Sequence, residues 1–195
     1  LAKIEEAVAS YPHKTIRVLE QEGKGKGDAV RKGFAEARGE VLMILDADLT
    51  MPPEDLPKYF EALASGQGEF INGSRLVYPM ENDAMRFLNY LANAIFSWLF
   101  TWILNQRFTD TLCGTKVLRR RDYRLISENR SYFGDYDPFG DFDLIFGAVK
   151  LNRKVIEVPI RYAERVYGST QISRFRHGWL LLKMVIHAFK KFKAF

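Results

Sequence analysis

Asp46 and Asp48 stand one residue apart, directly after the apolar run Val41-Leu42-Met43-Ile44-Leu45. Two carboxylates with that spacing offer hard oxygen ligands to Mg2+ or Mn2+, and such an ion can hold a diphosphate. The same pair also fits a plain strand end followed by an Asp-rich turn, so its meaning depends on its neighbours. Four further segments carry suitable chemistry. Gly25, Lys26 and Gly27 precede a helix start, where N–H groups and the helix dipole attract an anion. No Gly-Lys-Ser/Thr closes that loop, so it is not a P-loop. Asp110 to Lys116 sets an acid, a glycine and a lysine in seven residues that could line a pocket. Asp141 and Asp143 flank Phe142 at the start of a helix. Arg165 and Arg174 bracket a glycine-hinged loop, and arginine forks suit phosphate oxygens. Each of these, taken alone, also fits an ordinary loop or helix start.

The elements that must position these residues follow from periodicity. The run Val41–Leu45 reads as a parallel strand buried on both faces, and ligands gather at the carboxyl ends of such strands. Thr15–Leu19 and Phe70–Arg75 read as further strands, as does 154–160. Asp28 is expected to cap a helix to about Arg38 that ends at Gly39. Pro52-Pro53-Glu54-Asp55 opens a helix to about Ser65, with proline and acids in its first turn. A helix runs to about Leu151 after Asp143. Strand and helix alternate, which predicts an α/β fold with a mainly parallel sheet flanked by helices.

Two segments predict helices of a different kind. Residues 87–106 contain no charge, yet Asn89, Asn93, Ser97, Thr101 and Asn105 recur every fourth position as one polar stripe. A wide apolar face lies opposite. That pattern favours an amphipathic helix, about 84–106, in a membrane interface over one packed on the domain or one spanning a bilayer. Residues 179–195 add a basic amphipathic helix with Trp179, Phe189 and Phe192 on its apolar side and Lys183, Lys190, Lys191 and Lys193 on the other. Such a helix favours an anionic membrane surface.

Composition narrows the classes. The chain has 195 residues, 47% apolar, enough for one globular core. A net charge of +5 suits an anionic substrate or membrane surface, and no nucleic-acid-binding signature accompanies it. Cys113 is the only cysteine, which excludes an internal disulfide or a thiolate metal cluster and fits a reducing compartment. Leu1 opens without an initiator Met on helix-like sequence, as in a chain that lacks its first part.

Taken in order, these pieces resemble a family-2 glycosyltransferase of the GT-A fold, similar to dolichyl-phosphate mannose synthases and bacterial polyprenyl-phosphate glycosyltransferases. The resemblance rests on Gly25-x-Gly27-x-Ala29, Asp46-Ala47-Asp48-Leu49-Thr50, Gly73-Ser74-Arg75, Arg86, Asp110 to Lys116, Asp141-x-Asp143, Glu157-Val158-Pro159-Ile160 and Arg165-x-x-Gly168-Ser169. It implies a partial GT-A domain over 1–178, with the fold's first strands missing, and the basic helix as 179–195. It implies a UDP- or GDP-linked sugar donor and a polyprenyl or dolichyl phosphate acceptor at the cytoplasmic face of a membrane, with inverting, metal-dependent transfer. A divalent ion would sit on Asp46 and Asp48. Gly25, Lys26, Gly27, Arg75, Arg86, Lys116, Arg165 and Ser169 would line the phosphates. Asp110, Asp141 and Asp143 would stand near the reacting centre. Gln171 replaces a lysine usual in the family, which puts one phosphate contact in question. Transfer to a sugar hydroxyl, and a membrane-surface module of the same fold without turnover, are the alternatives.

Overall fold

The structure, a computed structural model, describes residues 2–75, 87–132, 137, 140, 142–161 and 174–194. Arg86, Asp141, Arg165, Ser169 and Gln171 lie outside the described residues. Seven helices and four strands are described: α1 (Ala2–Ala9), α2 (Lys26–Glu36), β1 (Val41–Met43), α3 (Leu56–Ala64), β2 (Phe70–Ser74), α4 (Phe87–Leu104), β3 (Lys116–Arg119), α5 (Arg120–Glu128), α6 (Phe142–Lys150), β4 (Val155–Pro159) and α7 (Arg174–Phe192).

The strands form one sheet in the order β1-β3-β2-β4. β3 runs antiparallel to both β1 and β2, while β2 and β4 are parallel. Three of four strands thus point the same way, as a mainly parallel sheet requires. The expectation misses β3, whose central place makes the sheet mixed, with two antiparallel ladders. This topology has a consequence for chemistry. The carboxyl ends of β1, β2 and β4 and the amino end of β3 share one edge, where open α/β sheets bind ligands.

Alternation along the strands sorts the core into two layers. Phe70 and Leu118 pack with Phe100, Ile103, Phe142, Phe146, Met184 and Ala188 from α4, α6 and α7. Ile71 and Val117 face the other way, onto Tyr59, Ala62 and Leu63 of α3. Each such fully buried large side chain contributes roughly 1.5–3 kcal/mol. The Tyr59 hydroxyl donates to the Val158 carbonyl at 3.1 Å, so the aromatic ring is buried without an orphaned polar end.

Several boundaries differ from expectation. Thr15–Leu19 is not a strand: it joins no ladder, and Ile16, Val18 and Leu19 are exposed. An extended segment becomes a strand only beside a partner, and none of the described strands lies next to it. α2 begins at Lys26 behind Gly25, which takes φ 85, so Asp28 lies inside the first turn. Its carboxylate accepts the Gly23 N–H at 2.8 Å and so ties down the glycine loop. α3 follows a 3-10 turn at Pro53–Asp55, as the proline signal implies. α4 stops at Leu104 because Asn105 turns left-handed at φ 52, a common helix stop. α7 begins at Arg174, five residues before the expected start.

The orientation of α4 is unusual for an amphipathic helix. Its polar stripe faces inward: Asn93 and Ser97 are buried. Leu91, Ile95, Trp98 and Trp102 are exposed on the opposite side, Trp98 by 68%. α7 lies alongside, with Trp179, Leu182, Ile186 and Phe189 exposed, and the Trp102 and Phe189 rings stack at 5.9 Å. The Lys193 ammonium lies 5.6 Å over Trp102, and Lys183 the same distance over Trp179. Among the described residues, no helix is long and apolar enough to cross a membrane.

Candidate active site

The site grows out of the strand ends at the shared edge. Asp46 follows β1, and its carboxylate accepts from the Lys26 ammonium, with Oδ1 at 2.9 Å and Oδ2 at 3.1 Å. The glycine loop and the acidic pair therefore meet, although 20 residues separate Lys26 from Asp46. Asp48 Oδ1 accepts from the Thr50 N–H at 3.2 Å and the Thr50 hydroxyl at 2.9 Å, closing an Asx turn. Leu49, inside that turn, has φ 55. A leucine in the left-handed region costs on the order of 1–2 kcal/mol, and such strain clusters at functional sites. A cleft of about 530 Å3 opens beside the Lys26–Asp46 pair, walled by Val30, Phe34, Leu42 and Ile44.

Gly114 closes the same corner from the loop before β3. A Cβ placed there would overlap Asp46 Oδ2 and approach the Lys26 ammonium. Both clashing groups are side-chain ends, which can swing aside. Gly114→Ala is accordingly expected to leave the melting temperature almost unchanged while lowering turnover on the order of 10- to 100-fold, through displaced groups. Thermal melts and steady-state rates on the same preparation check this.

The second cluster surrounds Asp110, which is 0% exposed. Its Oδ2 accepts from Arg75 Nε at 2.6 Å and from the Arg75 backbone N–H at 3.1 Å. Its Oδ1 accepts from Arg75 Nη2 at 2.8 Å, Asn93 Nδ2 at 3.2 Å and the Leu112 N–H at 3.0 Å. Burial pushes the carboxyl up, but the Arg75 guanidinium and these donors outweigh it and hold the carboxyl below its usual range. Asp110 is therefore a holder of Arg75 in this arrangement. Lys116, in β3, is fully buried beneath the loop, and its ammonium donates to the Cys113 carbonyl.

The third cluster surrounds Asp143 at the start of α6. Arg130 Nε lies 3.1 Å and Arg31 Nε 3.6 Å from Asp143 Oδ2. Burial is the main reason its carboxyl is pushed up to about 6, and the nearby Asp137 charge adds to it against the two arginines. Asp137 also accepts from the Gly140 and Asp143 N–H groups at 2.8 and 3.0 Å. Gly140, at φ 77, packs against Gly27: a Cβ on Gly27 would stand 2.8 Å from Gly140 Cα. This contact joins the third cluster to the Lys26–Asp46 corner.

The structure thus gathers Gly25, Lys26, Gly27, Asp46, Asp48, Arg75, Asp110, Lys116 and Asp143 around one edge of the sheet. Besides Arg31 and Arg130, three contributors carry no role in the sequence reading. Glu157 of β4 accepts from the Thr109 N–H at 2.9 Å, the Thr109 hydroxyl at 2.7 Å, the Asp110 N–H at 3.1 Å and Asn72 Nδ2 at 3.1 Å. Asn93 and Asp137 are the others. Asn93 belongs to the polar stripe of α4, so a signal existed; the stripe did not reveal that it turns inward. Among the described residues, no three His, Cys, Asp or Glu side chains form a metal cage. Asp46 and Asp48 still fit a Mg2+ or Mn2+ ion that takes its remaining ligands from substrate phosphate and water, since such ions commonly use only one or two protein carboxylates.

Comparison with known proteins bears on the family and the fold. The model of glycosyl transferase family 2 matches residues 1–125. A dolichol-phosphate mannosyltransferase of Pyrococcus furiosus is 30% identical over 191 residues, covering 93% of this chain and 51% of its own length. A dolichyl-phosphate hexose transferase of Haloferax volcanii is 28% identical, covering 87% of this chain and 70% of its own. An undecaprenyl-phosphate 4-deoxy-4-formamido-L-arabinose transferase of Pectobacterium carotovorum is 30% identical, covering 85% and 46%. The chain spans about half the length of the first and third of these relatives. Among solved structures, glucosyl-3-phosphoglycerate synthase from Mycobacterium tuberculosis, in complex with phosphoglyceric acid, aligns with a TM-score of 0.54 at 14% identity, over 95% of this chain and 59% of that one. That likeness concerns the fold. With more than half of the chain matched by the family model and the α/β sheet as described, the chain belongs to glycosyl transferase family 2 and has the GT-A fold.

Proposed function

We propose that the protein transfers a sugar from a nucleotide-sugar to a polyprenyl phosphate at the cytoplasmic face of a membrane, with inversion. The observation that carries this reading is the two-sidedness of α4. Its inner face holds Asp110, and hence Arg75, at the polar edge. Its outer face presents Leu91, Ile95, Trp98 and Trp102 to solvent. A phosphate-binding edge beside an exposed apolar and basic surface suits an acceptor with an anionic head and a hydrocarbon tail. The names of the relatives in Pyrococcus, Haloferax and Pectobacterium support the same acceptor class.

A divalent ion on Asp46 and Asp48, when bound, would supply charge neutralisation for the leaving diphosphate. The chain's own groups do the rest. Lys26 brings a second positive charge to the donor phosphates. Arg75, fixed by Asp110, presents a rigid guanidinium for in-line placement of the acceptor phosphate, which is catalysis by positioning. A phosphate monoester has a second pKa of roughly 6, so it is largely ionised at neutral pH and needs no strong base.

A sugar hydroxyl acceptor would need a base, and the raised carboxyl of Asp143 favours that second reading. Asp143→Asn separates the two. With a phosphate acceptor the variant is expected to keep its rate within about threefold; loss of a general base lowers rate by roughly 10^2–10^4-fold. The same variant has a stability signature. Because the folded carboxyl titrates near 6, above the usual ~4, the stability it contributes is present below pH ~4 and lost as pH rises through 6. Asp143→Asn should flatten that part of the unfolding profile.

Isothermal titration of the full-length protein with UDP- and GDP-sugars, with and without Mn2+, tests the donor half. Mn2+-dependent binding of one of them is expected. Absence of any metal-dependent nucleotide binding would remove the transferase reading.

A further inference from the structure

Three side chains on successive turns of α4 bond three successive residues of one loop. The Thr101 hydroxyl donates to the Phe108 carbonyl at 3.1 Å and accepts from the Phe108 N–H at 2.9 Å. The Ser97 hydroxyl donates to the Thr109 carbonyl at 2.9 Å. Asn93 Nδ2 donates to Asp110 Oδ1 at 3.2 Å. The helix positions descend by four as the loop positions ascend by one. The loop therefore runs back along the helix, tied at each turn. On its other side, Glu157 holds the Thr109 and Asp110 N–H groups.

We infer that Ser97 and Thr101, with Asn93, form a strap of positioning residues that sets the Asp110–Arg75 pair from α4. The inference rests on the reading that Arg75 handles the acceptor phosphate and that the outer face of α4 meets lipid. The stripe satisfies the Phe108 N–H and the Phe108 and Thr109 carbonyls, which apolar side chains would leave unpaired. The stripe also fixes register. Sliding or rolling α4 strains the Asn93 bond to the carboxylate holding Arg75 and the Ser97 and Thr101 bonds to the backbone just before it. The helix that meets the acceptor's tail is then also the one that places the cation for its head. Ser97 and Thr101 touch no substrate in this scheme and act through Asp110.

The test uses the full-length protein with polyprenyl phosphate in phosphatidylcholine vesicles containing phosphatidylglycerol. Ser97→Ala with Thr101→Val removes two of the ties; Ser97→Thr with Thr101→Ser keeps both hydroxyls. The expected result is a kcat about tenfold lower in the first variant, for the loss of two net hydrogen bonds of positioning. The KM for the nucleotide-sugar and co-sedimentation with the vesicles should not change, and kcat in the hydroxyl-keeping variant should return to within about twofold. Hydrogen exchange reads the strap without any substrate. The Arg75 and Leu112 amides, both donors to Asp110, should exchange faster in the first variant, while those of Phe70–Asn72 in the sheet stay protected. Unchanged kcat with unchanged exchange at Arg75 and Leu112 overturns the inference. So does a uniform rise in exchange across the sheet with no rescue by the hydroxyl-keeping pair, which marks a merely structural role. If the wild type transfers no sugar to the lipid phosphate, the functional reading fails, and the exchange experiment alone decides whether the strap positions Asp110.

Discussion

Asp48→Asn is expected to lower sugar transfer by about 10^2–10^3-fold, roughly 3–4 kcal/mol of transition-state stabilisation, with little change in stability. The substitution is chosen for what it keeps. Asn still accepts from Thr50, so the Asx turn that shapes the Asp46–Thr50 segment survives. What disappears is one negative charge, and with it one of two hard ligands for a diphosphate-bound ion. The side chain is half-buried in the turn after β1, and with its turn bonds kept the substitution removes no described buried contact. Kinetics with saturating Mn2+ beside a thermal melt separate the charge from the turn. A wild-type rate in Asp48→Asn would assign the acidic pair to a structural turn.

Asp110→Ala should do the opposite: damage the fold as well as the reaction. It leaves the largely buried Arg75 guanidinium without its bidentate partner, a change that typically costs 3–5 kcal/mol. For a chain of this size that corresponds to a fall in melting temperature of roughly 10 °C. The double variant Arg75→Met with Asp110→Leu removes both charges and should recover only part of the stability, because apolar packing can replace the ion pair while the Asn93 amide and the Arg75 and Leu112 N–H groups stay unpaired. Activity should not recover, since the cation for the acceptor phosphate is gone. Chemical denaturation of the three variants checks the stability half and turnover the other. The pair also has a pH signature. The Asp110 carboxyl is held low, so the stability it contributes is present above its ordinary range and is lost only as pH falls through the lowered value.

The parts of this molecule that local patterns specify were legible in the sequence. The apolar runs at Val41, Phe70 and Val155 became β1, β2 and β4, and the proline turn at Pro53 opens α3. Of these, only β2 is buried at every position; β1, expected to be buried on both faces, and β4 lie at the edges of the described sheet and are mostly half-buried. β3 was missed because Lys116-Val-Leu-Arg holds only two apolar residues; its place between β1 and β2 is what makes it a strand. Thr15–Leu19 failed in the converse way, with a good strand pattern and no ladder. In the site, Asp46 and Asp48 were legible as a closely spaced pair at a strand end. Glu157 was not, because its meaning lies in a contact that spans the fold: it meets Thr109 across 48 residues. Asp137 acts locally, on the Gly140 and Asp143 N–H groups, and its acid three residues before a glycine gave no distinctive pattern. The polar stripe of α4 was read correctly as a stripe, but periodicity gives a helix two faces without saying which one is buried. The loop that turns Asp110 toward Asn93 settles that.

The most direct measurement is transfer itself. Full-length protein, a panel of radiolabelled UDP- and GDP-sugars, Mg2+ or Mn2+, and vesicles carrying polyprenyl phosphate should yield an acid-labile glycolipid whose formation stops on metal chelation. Label appearing only on a sugar hydroxyl acceptor, with none on the lipid phosphate, would contradict the account.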